Sequence, residues 1–199
     1  MKIEFLHQNA NSKELILFFA GFASQPSHFS HLNSQKNVLM VYDYRDFEFK
    51  FDLNAFENIT LIAFSMGVCV ASKVLKNLHF KAKIALNGTN YGIDKTRGIP
   101  PSIFLRTAQN FKLEDFKKAL LCKRAEFEFR AEEDLKEELL ALYEFCKKDF
   151  AKNFTWDRAY MSEGDFIFPN LALKNTYENL ICLKEPHFVF FAFDKWEQI

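Results

Sequence analysis

Ile59-Thr60-Leu61-Ile62-Ala63-Phe64-Ser65-Met66-Gly67-Val68 is the stretch that decides how this chain folds. Its first six residues are an apolar run that reads as a buried strand, and Cys69 to Leu78 behind it carries helical periodicity. A strand that turns directly into a helix tolerates only small residues two places before and two places after the bend. Ala63 and Gly67 meet that demand. Ser65 then projects from the turn at the carboxyl end of the strand. AxSxG is a weak motif as five letters; the strand before it and the helix after it make Ser65 a candidate nucleophile. The simpler alternative is a serine that only caps the helix beginning at Met66.

Working outward, similar apolar runs recur at Leu15 to Ala20, Val38 to Tyr42 and Ile84 to Leu86, each followed by turn-prone or polar residues. Near-continuous apolar strands belong to a sheet covered on both faces, hence to parallel pairing with helical crossovers, an α/β architecture. Lys2 to His7 alternates polar and apolar as an edge strand does. From about Pro101 to Phe150 the pattern becomes helical with charged faces, as in Leu113 to Leu120 and Glu132 to Lys147, and reads as a helical lid inserted into the sheet domain. Strand patterning resumes at Arg158 to Met161 and Asn179 to Leu183, on either side of a helix starting near Pro169. His187 to Ile199 reads as a closing helix. The expected organisation is one α/β domain over residues 1–199, with the lid at about 101–150.

Composition narrows the function classes. With 49% hydrophobic and 26% charged residues among 199, the chain is not disordered. Lys plus Arg and Asp plus Glu both number 26, so no global field draws it to nucleic acid or anionic lipid, and any charged partner must be met by a local patch. No apolar run approaches the roughly 18 to 20 residues of a membrane span, and Met1 to His7 lacks the pattern of a secretory leader; the expectation is a cytoplasmic protein. Cys69, Cys122, Cys146 and Cys182 are scattered without a CxxC pair, which indicates neither a zinc site nor a disulfide framework, and they are expected to be reduced and mostly buried. The 25 phenylalanines carry no function on their own.

A serine hydroxyl needs a base to take its proton. Of five histidines, His187 alone follows the last strand-like run, in a short Lys184-Glu185-Pro186 connection that places it at the carboxyl end of the sheet. His7, His28 and His31 read as surface residues, and His79 sits at a helix end. The imidazole in turn needs an acid to orient it. Asp165, after the penultimate strand and ahead of Pro169, completes the chain order Ser, Asp, His; Asp94 is the second candidate, and Asp157 precedes its strand and points to the wrong end. Acyl transfer also needs donors for an oxyanion, each worth roughly 3 kcal/mol of barrier. The backbone amides of Met66 at the helix start and of Phe22 in the loop Ala20-Gly21-Phe22-Ala23 are suited to this, with Gly21 permitting the turn.

Several stretches together resemble the pimeloyl-acyl-carrier-protein methyl ester esterases of biotin synthesis, the small BioG-type family of α/β-hydrolases. They are Leu17 to Phe22, Tyr42-Asp43-Tyr44, Ala63 to Val68, Leu86-Asn87-Gly88-Thr89 with Gly98-Ile99-Pro100, Asp165 to Pro169, and Pro186-His187-Phe188. AsnGlyThr followed by GlyIlePro, with IlePhePro, is far more particular than the serine motif. Phe22 and Ala23 depart from the family's usual Trp and Gly. The resemblance implies an α/β-hydrolase fold and release of pimeloyl-acyl-carrier protein from its methyl ester, with Ser65 as nucleophile, His187 as base and Asp165 as orienting carboxylate. It requires no metal or organic cofactor.

An acyl-carrier protein is acidic, so the resemblance also implies a local basic face on an expected monomer. Lys95, Arg97, Arg106, Lys117, Lys118, Lys123, Arg124 and Arg130 are the candidates, in and before the insertion. Phe104, Phe111, Leu142 and Phe145 are candidates to line the acyl channel or to hold the lid on the sheet. Two other readings share much of this sequence: a carboxylesterase or thioesterase for free small esters, and a catalytically silent hydrolase-fold binding module.

Overall fold

The computed structural model describes residues 1–122, 124–147 and 154–199. Seven strands form one sheet: β1 (Lys2–His7), β2 (Glu14–Phe19), β3 (Asn37–Tyr42), β4 (Asn58–Phe64), β5 (Ala82–Leu86), β6 (Arg158–Gly164) and β7 (Ile181–Pro186). Their order is β1-β3-β2-β4-β5-β6-β7. The alternating strand β1 is the edge, antiparallel to β3, and every other pairing is parallel. From β2 the chain steps out to β3 and returns across β2 to β4, so its direction of travel reverses between β2 and β4. The carboxyl ends of those two strands meet in register, Phe19 opposite Ala63. In an open parallel sheet that reversal opens a crevice for ligands.

Successive strand residues point to opposite faces, and the core divides accordingly. Leu15, Leu17, Phe19, Leu39, Val41, Leu61 and Ala63 face α1 (Met66–Val74), α4 (Glu132–Cys146) and α5 (Asn170–Lys174). Ile16, Phe18, Val38, Met40, Ile62, Phe64 and Leu86 face an aromatic layer of Phe29, Phe188, Phe190 and Trp196, joined by Leu120 and Leu121. The Phe18 ring alone lies within 5.4 Å of the rings of Phe29, Phe190 and Trp196. Part of the phenylalanine content is thus accounted for as a cover for this face, supplied by short irregular segments.

The segment after β7 is two 3-10 turns, Val189–Ala192 and Trp196–Gln198, not the single closing helix its composition suggested. The reason is a long-range pairing: the Asn33 backbone carbonyl accepts from the Trp196 amide at 3.0 Å and its amide donates to the Asp194 carbonyl at 2.9 Å, which pulls the backbone out of helical pairing. Strand β7 also runs on through Pro186, so Lys184-Glu185-Pro186 is strand and His187 follows it directly. The segment between β5 and β6 contains α2 (Pro101–Gln109), α3 (Leu113–Leu121) and α4, and residues 124–131 ahead of α4 are not helical. Cys69 and Cys146 are buried, whereas Cys122 and Cys182 are exposed, so burial holds for half of the cysteines. No helix of the described residues is long and apolar enough to cross a membrane.

Candidate active site

The turn from β4 into α1 is as tight as the sequence requires. Ser65 has φ 55° and ψ −125°, a conformation L residues rarely adopt, and its side chain makes no cap hydrogen bond to the helix. Small neighbours permit the bend: a Cβ on Gly67 would lie 2.3 Å from the Ala20 carbonyl oxygen, and one on Gly88 would lie 2.2 Å from that of Ser65. The Ser65 amide donates to the Leu86 carbonyl at 2.8 Å, which pins the bend to β5.

His187 meets this hydroxyl. Its Nε2 is 2.9 Å from Ser65 Oγ, and its Nδ1 is 2.6 Å from Asp165 Oδ2. The other oxygen, Asp165 Oδ1, accepts from the amides of Ile167 and Phe168, each at 2.8 Å. One carboxylate thereby organises its own turn and orients the ring. The three side chains are nearly removed from solvent, with Ser65 4% and His187 2% exposed. Asp94, the second candidate acid, instead accepts from the amides of Thr96 and Arg97 and closes a turn of its own.

The Met66 amide is the first of α1 and has no acceptor within the helix. Among the described residues neither it nor the Phe22 amide meets a hydrogen-bond acceptor. Gly21 serves by close approach rather than by an unusual turn, since a Cβ there would lie 2.9 Å from the Phe64 ring and 3.1 Å from Ser65 Cβ. The left-handed residue of this loop is Ala23, at φ 63°. Ser65 and His187 open into a cavity of about 530 Å³ lined mostly by apolar side chains, with Arg106, Asn110 and Lys112 among its polar ones. Phe104 and Phe111 line it as expected. Leu142 and Phe145 do not: Leu142 is wholly buried in the core and Phe145 stacks on Phe47, with ring centroids 3.8 Å apart. Ile103, Phe116, Leu139 and Phe166 were missed as lining residues; Ile103 stands one position from the expected Phe104 on α2 and four from the lining Thr107, a signal obscured by its equal fitness for the core. Phe22 sets one wall, edge-on to Phe111 and Phe116.

Residues 1–199 match the family model described as pimeloyl-ACP methyl esterase BioG. This chain belongs to that esterase family. The crystal structure of BioG from Haemophilus influenzae superposes with a TM-score of 0.90 at 30% identity, over 100% of this chain and 99% of that one. A Bacteroides fragilis protein named malonyl-[acyl-carrier protein] O-methyltransferase is 39% identical over 171 residues, which are 79% of this chain; the match spans only 35% of that relative's length. A lipase-esterase related protein from Clostridium acetobutylicum, 18% identical with a TM-score of 0.64 over 96% of this chain and 95% of that one, shares the fold.

For a BioG chain, the basic residues between β5 and β6 differ in their surroundings. Arg106 lines the cavity and forms no ion pair among the described residues, and the same holds for Lys112, which was not anticipated. Arg97 lies over the Tyr91 ring, Lys117 pairs with Glu114 at 2.7 Å, Lys118 with Asp115 at 3.8 Å and Arg124 with Glu185. Lys95 is exposed, and Lys123 lies outside the described residues. Arg130 is withdrawn from any docking face: its side chain is 11% exposed, between Asp43 and the fully buried Glu138. Among the described residues no group of three or more His, Cys, Asp or Glu side chains is arranged to hold a metal ion.

Proposed function

We propose that this chain hydrolyses the methyl ester of pimeloyl-acyl-carrier protein in biotin synthesis, using Ser65 as nucleophile, His187 as base and then acid, and Asp165 as the carboxylate that orients the ring. The observation that carries this reading is the continuous contact Ser65 Oγ, His187 Nε2, His187 Nδ1, Asp165 Oδ2 at the base of an apolar cavity. Family membership over the whole chain supports the substrate.

His187 takes the Ser65 proton as the hydroxyl attacks the ester carbonyl, and the backbone amides of Phe22 and Met66 receive the oxyanion. The imidazolium, held by Asp165, returns its proton to the departing methoxy group, and methanol leaves. Water, deprotonated by His187, then releases the acyl chain from Ser65. The same proposal has the protein act as a monomer in the cytoplasm. Phe104, Phe111 and Phe116 shelter the acyl chain, and Arg106 and Lys112 meet the acidic carrier at the mouth. The one-domain organisation, with the insertion acting as lid, belongs to the same proposal.

The test is growth without biotin of a strain lacking its own esterase. Restoration by the wild-type gene but not by Ser65→Ala supports the reading, and restoration by both overturns it. Purified protein that cleaves a free short ester but leaves methyl pimeloyl-acyl-carrier protein intact would assign it to the general carboxylesterases. Failure of a fluorophosphonate to label Ser65 would mark a silent binding module.

A further inference from the structure

We infer that Glu138, on the inserted helix α4, is a positioning residue that holds the oxyanion loop in its working shape. The inference rests on the reading of the Phe22 amide as an oxyanion donor. Glu138 has no solvent exposure. Its Oε2 accepts from the Ala23 amide at 3.4 Å and its Oε1 from the Tyr44 amide at 3.1 Å. Arg130 donates to the same Oε2 and also lies 3.0 Å from Asp43, which Arg45 grips from the far side at 2.8 Å. Arg45 returns to α4 through Asp134 at 2.6 Å.

The loop is therefore tied at both ends. Tyr44 donates its hydroxyl proton to the Ala20 carbonyl at 2.7 Å, Glu138 takes the Ala23 amide, and the Phe22 amide lies between them with no acceptor among the described residues. Ala23 at φ 63° and Asp43 at φ 58° both hold left-handed conformations that a non-glycine residue leaves unless something retains it. Glu138 bonds directly at the first of these positions and, through Arg130, reaches the second. Burial raises the Glu138 pKa, opposed by Arg130 and the two amides. An apolar side chain of similar size would fill this place without desolvating a carboxylate. What the carboxylate adds is two oxygens aimed at two backbone amides, one of them next to the proposed donor, and this makes the inserted helix part of the catalytic floor.

Purified Glu138→Gln keeps the side-chain shape, offers one acceptor instead of two and loses the ion pair. The expected result is a fall of about 10- to 100-fold in kcat on methyl pimeloyl-acyl-carrier protein with KM within about threefold, because a displaced donor weakens the transition state more than the bound ester. Amide hydrogen exchange at Ala23 should accelerate while β2 and β4 keep their protection, a change that a general loss of stability would not confine to this loop. An unchanged kcat, or unchanged exchange at Ala23, overturns the inference. Should Glu138→Gln not fold, the double variant Glu138→Gln with Arg130→Met removes both charges together and is read in the same way. Wild type and Ser65→Ala are assayed alongside. No turnover by wild type, or turnover that survives in Ser65→Ala, counts against the esterase reading, and the Ala23 exchange then decides the Glu138 inference by itself.

Discussion

The side-chain amide of Asn87 donates to the His187 carbonyl oxygen at 2.9 Å and to the Ser162 hydroxyl at 2.7 Å, and its own oxygen accepts from the Ser162 amide at 2.7 Å. A wholly buried residue at the end of β5 thus fastens β6 to the backbone that carries the imidazole. Asn87→Ala leaves the Ser162 amide and the His187 carbonyl without partners and puts Ala at φ 48°. Urea unfolding should show a loss of about 3 kcal/mol, and the fraction that remains folded should turn over more slowly because the ring has lost an anchor.

Ser65→Gly separates chemistry from conformation. Glycine accepts φ 55° and ψ −125° without the penalty a Cβ brings, so the variant should lose ester hydrolysis entirely yet unfold at higher urea than wild type. The expected gain is about 1 kcal/mol, the strain released less the entropy glycine adds to the unfolded chain. A variant less stable than wild type would contradict this account of the bend.

His28, expected at the surface, is buried at 2% exposure and stacks on Phe127 with centroids 4.4 Å apart and planes 8° from parallel. Its Nδ1 accepts from the Gln25 amide at 3.3 Å, so its Nε2 carries the proton given to the Glu128 carbonyl at 2.7 Å. Burial lowers its pKa, only partly countered by that carbonyl. Protonating Nδ1 would turn it toward another N–H. The unfolded chain therefore takes up a proton first, and stability should decline as pH falls below the ordinary 6.5 and level off below the folded value. His28→Gln should flatten that part of a pH series of urea midpoints. Asp43 acts in a separate window: against burial, Arg45 and Arg130 hold it at about 2, so its contribution is lost only as pH falls from 3.8 toward 2.

Arg106 and Lys112 at the cavity mouth should matter only when the ester is carried on an acidic protein. Reversing both, Arg106→Glu with Lys112→Glu, should raise KM for methyl pimeloyl-acyl-carrier protein by about tenfold at low salt, and by less at high salt. KM for a free methyl ester should hardly change. Equal loss on both substrates would remove these two cations from carrier binding.

The sheet was legible because β2, β3 and β4 are apolar after their first residue, broken only by Thr60 in β4, a pattern that buried parallel strands impose. The Ser65, Asp165 and His187 contact was legible because each follows a strand at the same end of the sheet. Arg130 was not legible. An arginine on a charged segment looks the same whether it faces water or a buried glutamate, and only the fold brings Asp43 and Glu138 to it. Leu142 and Phe145 take the packing role and not the channel one of the two offered for them, a choice the sequence leaves open because an apolar residue on a helix serves a core or a channel equally well. The 3-10 turns after β7 arise from hydrogen bonds to Asn33, more than 160 positions away, as with Asp194 to Asn33.

The stretch that supplies the imidazole also roofs the aromatic side of the sheet, through Phe188, Phe190, Trp196 and Ile199. Displacing that stretch would strip the aromatic layer from the sheet and withdraw the His187 ring from Ser65 in one movement, so the seal of this face and the geometry around the serine are kept or lost together.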